Sequence, residues 1–332
     1  MTPTPRNRAW LRAALRIGGS VLALVILFRF LPLGEVWTTL GRLPLYLWAL
    51  VVAGYLAAHL MAASKWRLMV NLGGSGLSFR QSVRCYFSGL FSTLLLPSVI
   101  GGDVVRAGLA LRSTKSKPAT LVGSFLDRVI DFVALVILAA IGALLVPGEL
   151  APESRRVFFT VGLAIAVLAI VLASILLWFP ARKFSFRIRR ALVRLRNAAH
   201  AFRRQPQYVA ASGCLALVVQ GSFIWLTAQV AAASGLHLPF RAWLFAWPLA
   251  KISALIPLTQ GGIGVREAAL AALLVPFGAR AVLTVAVGLV WEGVIITGGL
   301  IGGLAAFVLA QFSGPPASES LRPASGQPQK SV

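Results

Sequence analysis

The sequence predicts an all-α polytopic membrane protein, with about six full transmembrane helices and two re-entrant, broken-helix hairpins in an inverted repeat. Three observations carry this prediction. Of 332 residues, 58% are apolar and only 12% charged, where a soluble domain carries about a quarter charged residues, and mean hydropathy is +0.82. Apolar runs long enough to cross a hydrocarbon layer of ~30 Å recur along the chain. Two further apolar stretches are each interrupted by Pro and paired Gly.

The basic N-terminus, residues 1–16, is expected in the cytoplasm, and the run after it reads as a retained first helix because no small-residue cleavage site follows. The full spans are expected at 17–33, 44–63, 119–146, 157–179, 208–234 and 281–311; the last is long and Gly-rich, which suggests tilt or a kink. The interrupted stretches are 80–111, containing LLLPSVIGGDVVRAG, and 240–276, containing ALIPLTQGGIGVREAA. Pro97 and Pro257 are their helix breaks, since proline removes a backbone donor and clashes with the preceding turn. The transmembrane domain is thus 17–311, with repeat one at about 44–146 and repeat two at about 208–311, and a disordered Pro/Ser-rich tail at 312–332.

Charge sets the orientation. The net charge is +23, from 32 Lys plus Arg against 9 Asp plus Glu. Most of these cations lie between apolar runs, which points to basic cytoplasmic loops against an anionic inner leaflet and not to nucleic acid. The first interrupted stretch is flanked by Lys65, Arg67, Arg80 and Arg84 before it and by Arg112, Lys115 and Lys117 after it. Both flanks are therefore expected in the cytoplasm, so the stretch enters and leaves by one face. The loop 147–156 then falls outside, and the loop 181–205, with nine Lys or Arg residues, falls inside. That loop reads equally as an amphipathic helix on the inner leaflet or as a solvated linker. The second interrupted stretch enters from outside, and both termini end in the cytoplasm.

The two interrupted stretches repeat each other. Pro97, Gly101, Gly102, Val105 and Arg106 fall on Pro257, Gly261, Gly262, Val265 and Arg266 at a constant offset of 160, and Phe79-Arg80 falls on Phe240-Arg241 after a one-residue slip. Gly/Pro-interrupted segments in corresponding halves are the sequence mark of inverted-repeat transporters, whose sites lie near the midplane.

Five of the nine acids fall within apolar segments: Asp103, Asp127, Asp131, Glu267 and Glu292. Ionisable groups at membrane depth are costly and are candidates for function. Helix N-termini opening at the Gly-Gly pairs suit a phosphate, and Arg106 and Arg266 are placed to clamp its oxygens. The alternative is that the glycines serve helix packing and each arginine pairs with an acid. Asp127 and Asp131, one turn apart with Arg128 between them, read equally as an ion-pair network or as part of a transport path. Arg106, Arg128, Lys251 and Arg266 give four cations against five acids, which favours a headgroup carrying both signs, or proton coupling, over a bare anion. Lys65-Trp66-Arg67 reads as an interfacial anchor. His59, His200 and His237 form no metal spacing, and Cys85 and Cys214 read as small packing residues. No cofactor is expected.

In IGGDVVRAG with the following DRVID, and in GGIGVREAA, the chain resembles the lysylphosphatidylglycerol synthase transmembrane-region family of flippase-like membrane proteins, over about residues 15–311. The resemblance implies translocation of a phospholipid or a polyprenyl- or glycolipid-type molecule across the bacterial inner membrane. It carries over Gly101, Gly102, Asp103, Arg106, Asp127, Arg128, Asp131, Gly261, Gly262, Gly264, Arg266 and Glu267. Of these, Asp127, Arg128 and Asp131, with Lys251 and Glu292, are ion-pair or proton-coupling candidates. The chain stops about twenty residues past the last span, so synthesis by a soluble transferase domain is not expected, and no enzyme is. The rival readings are a membrane-embedded transferase with Asp127 or Asp131 as base, and a non-transporting scaffold. The expected partner is a membrane lipid, with a homo-oligomer left open.

Overall fold

The computed structural model describes residues 44–96, 99–146, 204–254 and 264–312, with Gly41, Val193 and Phe202 as isolated positions. The spans expected at 17–33 and 157–179, the loop 147–156, most of 181–205, the tail, and Pro97, Pro257, Gly261 and Gly262 lie outside them. Within the described residues the chain is helical throughout: α1 Leu45–Leu72, α2 Phe79–Leu95, α3 Val99–Ser113, α4 Lys117–Leu145, α5 Pro206–Ala233, α6 Phe240–Ser253, α7 Val265–Leu274 and α8 Ala281–Gln311, with a 3-10 turn at Val275–Phe277 before α8. Four of these, α1, α4, α5 and α8, are long and apolar enough to cross a membrane.

The helices form two sets of four with the same order. Long helices of 28 residues open each set (α1, α5), two short helices follow (α2–α3, α6–α7), and helices of 29 and 31 residues close each set (α4, α8). Both first short arms begin on a Phe-Arg dipeptide, with Phe79 and Phe240 about equally exposed at 47% and 44%. The packing repeats as well. Helix α4 lies against α6 as α8 lies against α2, α2 against α3 as α6 against α7, and α1 against α4 as α5 against α8. The pairs α4–α5 and α8–α1, α1–α2 and α5–α6, and α3–α4 and α7–α8 correspond in the same way, while α1–α5 is its own counterpart. Exchanging the two sets therefore leaves every substantial interface among the described residues in place.

Glycines make the close approaches. A Cβ at Gly142 of α4 would fall on the backbone of α6, 2.6 Å from the Leu244 carbonyl carbon, while one at Gly302 of α8, 160 positions later, would stand 2.5 Å from the Phe87 ring of α2. Pro248, inside α6, leaves the carbonyl of this same Leu244 without its helical donor. The Gly-rich α8 is one unbroken helix. Its glycines are sockets: Gly293 receives Trp48, Gly298 receives Tyr55, Gly299 receives Leu94 and Gly303 receives Phe91.

The core joins the two sets, with Tyr55, Phe223, Trp243, Trp247 and Trp291 in one cluster. Outside it, Leu121, Phe125, Val133, Ile137, Ile141 and Leu144 run along one exposed face of α4, and Leu300, Leu304, Phe307 and Val308 along α8. Apolar side chains turned outward along these helices are what a hydrocarbon solvent selects. Cys85 is buried, as expected, whereas Cys214 lies exposed on α5 among the described residues.

Candidate functional site

The α1 helix runs nine residues beyond the span expected to end at 63, because Leu68, Met69 and Val70 continue its apolar face. Lys65 and Trp66 therefore sit inside the protein, fully buried, and are no interfacial anchor. Spacing four apart on α4 aims Asp127 and Asp131 the same way. Lys65 Nζ donates to both, at 2.7 Å to Asp127 Oδ1 and 2.8 Å to Asp131 Oδ1. Trp66 Nε1 donates to Ser124 Oγ at 3.0 Å, pinning α1 to the same face of α4.

Arg106, 3% exposed, reaches this cluster from α3. Its Nη2 lies 3.4 Å from both Asp127 and Asp103, its guanidinium faces the Trp66 and Tyr86 rings at 4.9 and 5.0 Å, and its Nε has no hydrogen-bond partner among the described residues. Arg128 pairs with Asp103 and, at 3.8 Å, with Asp131. Three cations (Lys65, Arg106, Arg128) thus meet three carboxylates (Asp103, Asp127, Asp131). Gly101 and Gly102 serve the hairpin: a Cβ on Gly102 would stand 2.6 Å from the Gly89 carbonyl oxygen, and one on Gly101 2.8 Å from Leu96 Cβ. Arms α2 and α3 meet backbone to backbone there.

The second set answers with a different arrangement. Gly264 adopts φ +86°, a conformation that favours glycine, and restarts the helix at Val265. Its N–H donates to Glu267 Oε2 at 2.6 Å, so one amide at the α7 N-terminus expected to receive a phosphate is taken by the chain's own carboxylate. Arg266 donates to Glu267 Oε1 from Nε (3.1 Å) and Nη2 (2.7 Å), and to Glu292 Oε1 at 2.6 Å. Gly288 of α8 makes room for Glu267, whose Cγ lies 2.6 Å from where a Cβ would stand.

Between the two clusters lies Lys251, twelfth residue of α6. Its Nζ donates to Gln220 Oε1 of α5 at 2.8 Å and sits over the rings of Trp247 (4.8 Å) and Phe223 (5.0 Å). Phe223 packs on His59 at 5.0 Å, His59 on Tyr55 at 4.4 Å, and His59 Nδ1 lies 3.4 Å from Tyr86 Oη. An aromatic seam therefore separates the clusters. Counting Lys65, five cations face five acids, and the excess of acid expected from the sequence disappears. Among the described residues no group of His, Cys, Asp and Glu is arranged to hold a metal.

The family model for the lysylphosphatidylglycerol synthase transmembrane region matches residues 13–303. The chain belongs to this family. It is a multi-pass membrane protein, and both charge clusters, the seam and all eight described helices fall within or across the matched region. Comparison with curated proteins and with solved structures gives no match. Of the residues carried over from the family motifs, Asp103, Arg106, Asp127, Arg128 and Asp131 come together in the first cluster, and Gly264, Arg266 and Glu267 with Glu292 in the second. Reasoning from the sequence missed Lys65, Trp66, Tyr86, Gln220, Phe223 and Trp247. For Lys65 the signal was present in the apolar Leu68-Met69-Val70 that follows.

Proposed function

We propose that this protein translocates a lipid across the bacterial cytoplasmic membrane, holding the headgroup between its two hairpins while the acyl chains stay in the bilayer. One observation carries the reading: two charge clusters, each built on a broken-helix pair, are enclosed in a membrane-spanning fold whose halves exchange. Charge buried at this depth is expensive even when paired and is by default a candidate for handling a polar cargo. At 1.5 Å per residue the four arms measure between about 15 and 26 Å, each short of the ~30 Å core. Each hairpin is thus read as re-entrant, one from each face, beside six full spans. Substrate phosphate and amine groups would exchange for the ion pairs of Arg106 with Asp103 and Asp127 and of Arg266 with Glu267 and Glu292, which suits a headgroup carrying both signs. A base role for Asp127 or Asp131 has less support, because both already accept the Lys65 ammonium. The lipid is taken to leave chemically unchanged.

The test is headgroup accessibility of a labelled phospholipid in proteoliposomes. Removing a charged hydrogen-bond partner costs about 1.5–3 kcal/mol, so Arg106→Ala and Arg266→Ala are each expected to slow translocation by about tenfold or more. Wild-type rates in both variants would remove the headgroup from these arginines.

A further inference from the structure

We propose that Lys251 receives a lipid phosphodiester at the seam between the halves, an inference that rests on the transport reading above. All five described carboxylates at membrane depth are committed to other cations: Asp103 to Arg106 and Arg128, Asp127 to Lys65 and Arg106, Asp131 to Lys65 and Arg128, and Glu267 and Glu292 to Arg266. Lys251 alone among the five cations has no carboxylate within ion-pair distance among the described residues. An ammonium carries three donors, and one of them is taken by a neutral amide, Gln220. The Trp247 and Phe223 faces hold the charge in place without neutralising it. A half-buried cation left in that state is incomplete, and what completes it is an anion. The position fits a cargo. Lys251 ends the first arm of one hairpin and touches the opening helix α5 of its set, and the Phe223 ring beneath it packs on His59, toward Tyr86 and Arg106, and on Trp291, next to Glu292. The first set has no cation at the matching arm end, where Leu90 and Phe91 stand. The Lys251 contact to a phosphodiester therefore has no counterpart in the first set.

The experiment titrates the purified full-length protein with dioctanoyl phosphatidylglycerol, dioctanoylglycerol (no phosphate) and inorganic phosphate, reading bound ligand by native mass spectrometry. Lys251→Met keeps length and apolar bulk and orphans no carboxylate, only the Gln220 amide oxygen, so it should fold with a thermal midpoint lowered by no more than that one lost hydrogen bond; Lys251→Arg keeps the charge. Loss of a charged hydrogen bond predicts phosphatidylglycerol binding about tenfold weaker in Lys251→Met and nearly wild-type in Lys251→Arg, with dioctanoylglycerol unchanged. Equal phosphatidylglycerol binding by Lys251→Met and wild type overturns the site. Displacement of the lipid by equimolar inorganic phosphate overturns its assignment to a lipid. Should the binding pattern hold while wild-type proteoliposomes move no labelled lipid, the site stands and the transport reading falls.

Discussion

The two halves share a packing scheme and differ in their chemistry. In α1–α4, a lysine from the opening helix satisfies the two carboxylates of the closing helix at 2.7 and 2.8 Å, and the hairpin arginine Arg106 is left with contacts of 3.4 Å and an Nε without a partner among the described residues. In α5–α8 no lysine reaches the closing helix; Arg266, at the repeat-equivalent position, takes Glu292 itself at 2.6 Å and Glu267 at 2.7 Å. The difference teaches that helix packing and charge placement are separable. Packing needs small residues at crossings, which a duplicated sequence preserves. Charge needs only a partner within reach, and different helices can supply it.

Deleting the lysine that sets the halves apart should have the largest effect. Lys65→Met leaves Asp127 and Asp131 facing each other, buried, with only the long contacts of Arg106 and Arg128 to Asp127 and Asp131. Breaking a buried pair from one side costs about 3–5 kcal/mol, and thermal unfolding in detergent should show a loss of that order. Adding Asp127→Asn and Asp131→Asn to the same chain should restore most of it. Arg266→Met should lose less, because Glu267 keeps the Gly264 amide. Unchanged stability in Lys65→Met would mean that the first cluster is not held by its lysine.

A finer comparison lies at the repeat-equivalent crossings. Gly142→Ala pushes a methyl onto the α6 backbone beside Pro248, where nothing can give, whereas Gly302→Ala meets the Phe87 ring, which can turn aside. Overpacking costs about 1–3 kcal/mol, so Gly142→Ala should sit at the upper end and Gly302→Ala at the lower, by the same unfolding measurement. The reverse order would show that α8 and not α4 is the tighter crossing.

Much of this architecture was legible because hydrophobic length is a local property. The expected span 281–311 coincides with α8, and 119–146 and 208–234 fall within two residues of α4 and α5. The first hairpin break falls where Pro97 put it, between α2 and α3. Reading failed where a residue's role depends on a distant partner. Lys65 beside Trp66 and Arg67 is locally indistinguishable from an interfacial anchor, and only Asp127, 62 residues on, gives it another role. The offset of 160 aligned Arg106 with Arg266, yet the first is the eighth residue of α3 and the second is the second of α7, because the positive φ of Gly264 starts that helix later. Glycine types predict that backbones come close; they do not say whether the neighbour is another helix, as at Gly102, or a carboxylate, as at Gly264.

The smallest effect separates the two hairpin entrances. Ser78 caps α2 with a full capping box, its Oγ accepting from Gln81 N at 3.3 Å and its own N–H donating to Gln81 Oε1 at 2.9 Å. At the matching entrance to α6, Pro239 stands as cap with no side-chain hydrogen bond. Ser78→Ala should therefore lower stability by about 1 kcal/mol, with faster hydrogen exchange confined to the first turn of α2. Pro239→Ala breaks no such bond and should leave exchange in α6 unaltered. If both entrances frayed alike, the box would add nothing to the turn that Asn71 already ties, with its side chain bonded to the Leu77 N–H at 2.8 Å and carbonyl at 2.9 Å. In that case the two entrances, unlike the two clusters, would be equivalent in energy as well as in packing.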